Sequence, residues 1–225
     1  MNIIVISLER AKERRESIKA QLAALKLDAI IMDAVDGASL RRDQLDVTIN
    51  NPGRWRDKEK FNPGEIGCIM SNIKAIEIAQ EKNWDDVIII EDDVVLSEDF
   101  EKGINFLYKI LPNDWEHVFL GGHIYMGPVP VFQPTVIISD FKISGSYAYI
   151  LKKPAYEKLR IELALKNAPA DDVIEHLILA ENKLKSYIFF PFLAYPKQNY
   201  SYIWNREGGT QMHASVKYFR NKLFN

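Results

Sequence analysis

Three consecutive carboxylates, Glu91-Asp92-Asp93, follow directly on the apolar run Val87-Ile88-Ile89-Ile90, and no other stretch of the chain gathers so much potential chemistry. A continuous β-branched run of this kind is the pattern of a strand buried on both faces in a parallel sheet. Open α/β sheets bind ligands beyond the carboxyl ends of their strands. Three crowded carboxylates repel one another, and burying them unpaired costs roughly several kcal/mol each. A hard divalent cation relieves that cost, and oxygen donors are what Mg²⁺ or Mn²⁺ takes. The competing reading is a helix N-terminus, where acidic residues complement the macrodipole.

The elements that must position this triplet are legible from periodicity. Ile3 to Leu8 reads as a first strand, about residues 2–8, and Ile18, Leu22 and Leu25 recur at helical spacing within 10–26. Ala29 to Val35 is a second strand closed by the turn signal Asp36-Gly37. Residues 40–63, rich in Asn, Pro, Gly and charge, read as a long irregular loop and a candidate lid. A helix is predicted from Glu65 to about Glu81, then the Glu91 strand, a helix over 97–110, and a short strand over 115–120. Pro128, Pro130 and Pro134 confine 124–143 to edge strands and loops. Strands at 146–151 and 187–190 flank helices starting at Pro154 and after Pro169. Alternation of strand and helix up to residue 120 indicates an α/β fold with a mostly parallel sheet, followed by a mixed second half.

The chain has 225 residues, 47% hydrophobic and 27% charged, which is ordinary for a globular protein with a full core. A net charge of −2 gives no sign of a nucleic-acid partner. The single cysteine, Cys68, rules out an internal disulfide framework and fits a reducing compartment. The first eight residues lack the basic flank and apolar length of a secretory signal, and no run reaches the ~18 apolar residues of a spanning helix. The expectation is a cytoplasmic protein that can rest on the inner membrane.

Several segments together resemble glycosyltransferase family 25, the bacterial lipooligosaccharide galactosyltransferases and their relatives. They are Val5-Ile6-Ser7-Leu8-Glu9-Arg10 with Arg14-Arg15, Asp33-Ala34-Val35-Asp36-Gly37, Gly64-Glu65-Ile66-Gly67-Cys68 with Ser71, and Ile90-Glu91-Asp92-Asp93-Val94. Weaker matches follow at Gly145 to Ile150 and at Pro169-Ala170-Asp171-Asp172, in family order. One departure stands out: Asn72 occupies a position where the family usually carries histidine, and an amide cannot carry a proton as an imidazole does. The resemblance implies a GT-A-like, Rossmann-like sheet, a UDP-sugar donor (commonly UDP-galactose), Mn²⁺ or Mg²⁺, inversion at the anomeric carbon, and a lipid-linked oligosaccharide acceptor. It places a catalytic domain over 1–207 and leaves a basic-aromatic tail over 208–225, which either touches an anionic membrane surface or is a plain docking segment or disordered end.

Within that resemblance, Glu91 and Asp93 are the expected metal ligands. An extended segment turns them to one side and Asp92 to the other, where Asp92 binds ribose or donor sugar. Ser7, Leu8 and Arg10 fall at the carboxyl end of the first strand, where base and ribose belong. Arg10 or Arg15 offers diphosphate a guanidinium fork, against the plainer reading of a solvated charge run. Asp36 holds uracil or ribose, or is a turn aspartate. Gly64, Gly67 and Ser71 open a helix near the donor, or serve as cap and close packing. Cys68 reads as a buried small residue rather than a nucleophile. Inversion needs a base for the attacking hydroxyl; the candidates are Asp172, then Asp171, with Asp92 as fallback, and N-capping is the rival explanation for the first two. Gly121-Gly122-His123 is a candidate acceptor side, against the plainer reading of a structural or surface histidine; His213 is a candidate third ligand without spacing support; and Gln198 with Ser201 orients the donor or caps a loop. Two other functions compete: a non-catalytic nucleotide-sugar-binding module, and another metal-dependent phosphate-transfer enzyme.

Overall fold

The run Val87 to Ile90 is buried along its whole length because the sheet it belongs to is covered on both faces. Val87 and Ile89 pack into one cluster of side chains, Ile88 and Ile90 into the other. This is strand β3 (Asp86–Glu91), and the period-two geometry of a strand sends its residues alternately to the two layers. Each fully buried isoleucine contributes about 1.5–3 kcal/mol of apolar transfer free energy. The computed structural model describes residues 1–41, 61–124, 135–138, 143–165, 168–179, 184–197, 200–201 and 206–207.

In chain order the described elements are β1 (Ile3–Ser7), α1 (Lys12–Ala24), β2 (Ile30–Asp33), a single 3₁₀ turn (Gly37–Ser39), α2 (Pro63–Glu81) and β3. Then follow β4 (Val94–Leu96), α3 (Phe100–Ile110), β5 (His117–Ile124), β6 (Thr135–Ile138), β7 (Ile143–Lys152), α4 (Lys153–Leu165), α5 (Ala170–Leu179) and β8 (Ser186–Phe190). The short β9 (Ala194–Pro196), β10 (Tyr200–Ser201) and β11 (Arg206–Glu207) close the sequence of elements. The central sheet has seven strands in the order β2-β1-β3-β7-β5-β8-β6. Strands β1, β2, β3, β5 and β8 run one way, and β6 and β7 run the other. The sheet is therefore mostly parallel in strand direction, with β7 inserted antiparallel between β3 and β5. The mixed second half is this insertion together with the antiparallel edge strand β6.

Helices α2, α4 and α5 cover one face, and α1 and α3 the other. Helix α2 starts on a capping box: Asn62 Oδ1 accepts from Glu65 N at 2.9 Å, and Glu65 Oε2 accepts from Asn62 N at 2.8 Å. Two expectations need correction. The segment after the acidic triplet is a separate strand, β4, paired antiparallel with β9 through Leu96 and Ala194, so the next helix begins at Phe100 and not at 97. The acidic residues do not continue an extended strand either: Glu91 ends β3, and Asp92 and Asp93 form the turn into β4. Most of the 40–63 loop, the 208–225 tail, Gln198 and His213 lie outside the described residues.

Candidate active site at the carboxyl ends of β1, β2 and β3

The carboxyl ends of three parallel strands meet around one cleft of about 460 Å³. Strand β1 supplies Ile6 and, just beyond it, Leu8; the turn after β2 supplies Ala34 to Ala38; and β3 supplies Glu91, followed by Asp92 and Asp93. Helix α1 contributes Arg14, and the first turns of α2 contribute Gly64, Cys68, Ser71 and Asn72. Of the residues singled out from sequence, Leu8, Arg10, Asp36, Ser71, Glu91, Asp92 and Asp93 all line this cleft.

Asp92 is buried, with both oxygens engaged. Its Oδ2 accepts from the Ser7 hydroxyl at 2.7 Å, and its Oδ1 pairs with Arg14 Nη2 at 2.7 Å. Burial pushes its carboxyl up, opposed by the Arg14 charge and the Ser7 hydrogen bond. Asp92 therefore ties the acidic corner to β1 and α1. Ser7 in turn is gripped by Arg15, whose Nη2 donates to the Ser7 carbonyl at 2.7 Å and pairs with Asp33 at 2.7 Å.

Asp93 has one oxygen, Oδ2, paired with Arg14 Nη2 at 2.5 Å; its other, Oδ1, is inaccessible and has no hydrogen-bond partner. Burial raises its carboxyl too, with Arg14 opposing. Glu91 is pushed up to about 8, by desolvation first and by the Asp93 charge next. Both carboxyls are pushed up by burial, and Glu91 also by the Asp93 charge, so added positive charge beside them would be favoured. Among the described residues no three His, Cys, Asp or Glu side chains converge to hold a metal by themselves. Two carboxylates nonetheless fit a cation that takes its remaining ligands from phosphate and water, which is the habit of Mg²⁺.

Arg10 pairs with Asp36 at 2.5 Å at the mouth of the cleft, and this guanidinium holds the Asp36 carboxyl below its ordinary range. Asp36 also caps the 3₁₀ turn, accepting from Ala38 N at 2.9 Å, so its turn role and its position on the cleft coexist. Ser71 lines the cleft while joining α2 to the end of β2, donating to Gly67 O at 2.7 Å and accepting from Val35 N at 2.8 Å. Gly67 stands apart from the cleft lining. A Cβ there would lie 2.6 Å from Val35 O, so this glycine lets α2 close against the β2 turn. Gly121 and Gly122 make room in the same way for Ala194 O and Ile143, and are buried within β5.

Asn72 is buried, accepting from Tyr149 Oη at 2.8 Å and donating to Cys68 O at 3.0 Å. The Cys68 thiol is raised well above its usual range by burial and by the charges of Glu91, Asp171, Asp93 and Glu65, which keeps it a thiol. Asp171 and Asp172 both lie in the first turn of α5 and neither lines the cleft, though the Asp171 charge adds to the upward push on Cys68 and Glu91. Asp172 is buried.

Arg14 is the residue that sequence reasoning missed in favour of Arg10 and Arg15. A signal was present: Arg14 stands four residues before Ile18 and eight before Leu22, on the buried stripe of α1.

A mostly parallel α/β/α sheet with an acidic corner at the end of its third strand is the GT-A-like glycosyltransferase fold. A solved glycosyltransferase involved in glycosylating the major capsid of PBCV-1 shares that fold, with a TM-score of 0.54 over 96% of this chain and 97% of that one, at 8% identity. The family model described as Glycosyltransferase family 25 (LPS biosynthesis protein) matches residues 1–125, and the chain belongs to that family. Human procollagen galactosyltransferase 2 is 31% identical over 129 residues, which is 53% of this chain and 20% of that protein. Procollagen galactosyltransferase 1-B of Xenopus laevis is 24% identical over 86% of this chain and 35% of its own length. The human inactive glycosyltransferase 25 family member 3 is 28% identical over 53% of this chain and 21% of its own. The chain thus spans between a fifth and about a third of the length of these relatives.

Proposed function

We propose that the chain is a metal-dependent, inverting glycosyltransferase that moves a hexose, galactose in this reading, from a UDP-sugar to a lipid-linked oligosaccharide of the lipooligosaccharide or lipopolysaccharide type. The observation that carries the reading is the convergence of three strand ends on one cleft, with the Glu91 and Asp93 carboxyls raised together on its wall. Galactose is supported by the names of the procollagen galactosyltransferases, and the acceptor by the lipopolysaccharide role in the family's description. The proposed location is the cytoplasmic face of the inner membrane. No helix among the described residues is long and apolar enough to cross a membrane, and the basic-aromatic 208–225 segment is the proposed surface contact.

In this reading the uridine lies over Leu8 and Asp36, and the diphosphate faces the guanidinium groups of Arg10 and Arg14. The Asp93 and Glu91 carboxylates would hold the divalent cation, which would offset charge developing on the departing UDP. The acceptor hydroxyl oxygen attacks the anomeric carbon from the face opposite the diphosphate. The bond from that carbon to the phosphate oxygen breaks, and its electron pair leaves with UDP. The hydroxyl proton passes to a carboxylate, and Asp171 is the better candidate than Asp172 because its charge reaches the Glu91 end of the cleft.

A second reading, nucleotide-sugar binding without turnover, draws support from Asn72, whose amide is turned into the core by Tyr149, and from similarity to a relative named inactive. Release of UDP from UDP-galactose in the presence of Mn²⁺ separates the two. The transferase reading expects turnover by the native protein and none by a folded Asp93→Ala variant.

A further inference from the structure

Arg14 sits where a cation bound to Asp93 would have to compete with it. One nitrogen of its guanidinium lies 2.7 Å from Asp92 Oδ1 and 2.5 Å from Asp93 Oδ2, and the side chain is 15% exposed. Arg14 lines the same cleft as Glu91, Asp92 and Asp93. Asp92 cannot readily exchange this partner, since Ser7 holds its other oxygen in a buried position. Asp93 can, because its side chain is 29% exposed against 6% for Asp92 and lies on the cleft wall.

We infer that Arg14 is a resident counter-cation that holds Asp93 in the ligand-free site, weakens divalent-cation binding there, and transfers to the donor's diphosphate when the two bind together. The inference rests on the transferase reading and names the residue that couples its two ligands. The physics is a charge exchange. A monovalent guanidinium and a divalent cation on the same carboxylate repel each other across a few ångströms of poorly screened space. A diphosphate offers the guanidinium anionic oxygens in the geometry its planar fork prefers. The cation then gains Asp93 as Arg14 leaves it, so each ligand favours the other, and the coupling is reciprocal. Arg14 is a positioning residue toward the cation and a direct contact only toward the diphosphate.

Arg15 supplies the control. It carries the same charge one residue along, but its contacts are Ser7 and Asp33, not Asp93. Mn²⁺ alone, without nucleotide, is titrated into the native protein, Arg14→Gln and Arg15→Gln, with free Mn²⁺ read by electron paramagnetic resonance. Arg14→Gln is expected to bind Mn²⁺ about tenfold more tightly than the native protein, the scale of one charge-assisted hydrogen bond, and Arg15→Gln to change by less than about threefold. The gain in UDP affinity that Mn²⁺ gives the native protein is expected to shrink about tenfold in Arg14→Gln. Should Arg14→Gln not fold, Arg14→Lys, whose single ammonium lacks the planar fork, is expected to give a smaller rise in the same direction. Equal or weaker Mn²⁺ binding by the Arg14 variants, or an equal gain in Arg15→Gln, overturns the inference while leaving the transferase reading intact. Absence of Mn²⁺ binding in every protein overturns it as well, and UDP binding by the native protein then decides whether a metal-free transferase reading survives.

Discussion

Tyr149 Oη donates to Asn72 Oδ1 at 2.8 Å inside the core, joining the centre of β7 to the cleft-lining face of α2. Both residues are buried, and burial keeps the phenol protonated far above neutrality. The contact fixes the amide's orientation, so that its NH₂ turns toward the Cys68 carbonyl. Tyr149→Phe leaves a buried acceptor unsatisfied and is expected to lower stability by about 1–3 kcal/mol in urea denaturation. Adding Asn72→Ala should recover part of that loss, because the orphaned acceptor goes too. Strict additivity of the two would mean the contact is not made.

Gln21 serves β4 as a neighbouring strand would. Its Nε2 donates to Val94 O at 3.0 Å and its Oε1 accepts from Leu96 N at 2.8 Å. Strand β4 leaves the acidic turn directly, and Lys197 N donates to Asp93 O at 2.7 Å from beyond β9. Gln21→Ala is expected to cost about 1–3 kcal/mol and to speed amide exchange at Leu96 more than in β3. Uniform exchange across both strands would contradict this role.

The base assignment separates two adjacent carboxylates. Asp171→Asn is expected to lower kcat for transfer by about 10²–10⁴-fold with little change in UDP affinity, and Asp172→Asn to affect kcat far less. Steady-state kinetics with calorimetric UDP binding reads both. The reverse order would restore Asp172 as the base.

Acid sensitivity should trace to His117. Its ring is fully buried, 2.9 Å from Ser186 Oγ through Nδ1, and burial depresses its pKa to about 3. The unfolded chain takes up this proton near 6.5, so the neutral ring's contribution is complete above pH 6.5 and is lost as pH falls toward 3. The slope is about 1.4 kcal/mol for each pH unit in that window. His117→Gln should flatten the dependence between pH 6 and 4, whatever its effect at pH 7. An unchanged slope in chemical denaturation would assign the effect elsewhere.

Strand β3 was legible because both its faces are buried, which writes a continuous apolar run into the sequence. The direction of β7 was not, since periodicity is the same for parallel and antiparallel strands. Strands β4 and β9 were missed for another reason: each has three residues, and their partners stand about a hundred positions apart. The acidic triplet stands out by composition, but an apolar run continues on either side of it, and only the β4 pairing turns the chain at Asp92 and Asp93. Arg14 lay hidden in a charge run, where composition cannot separate an inward arginine from a solvated one. Sequence alone does not separate Asp171 from Asp172, because both fall in the first turn of the same helix.

Asp93 and Glu91 are the proposed metal-dependent donor site. The most direct test is thermal stabilisation of the native protein and Asp93→Ala by UDP-galactose and other UDP-hexoses, with and without Mn²⁺. The account predicts a rise in Tm for the native protein that needs both Mn²⁺ and a UDP-hexose, and its loss in Asp93→Ala. Equal stabilisation of the two proteins, or none of the native protein by any UDP-hexose, would contradict it.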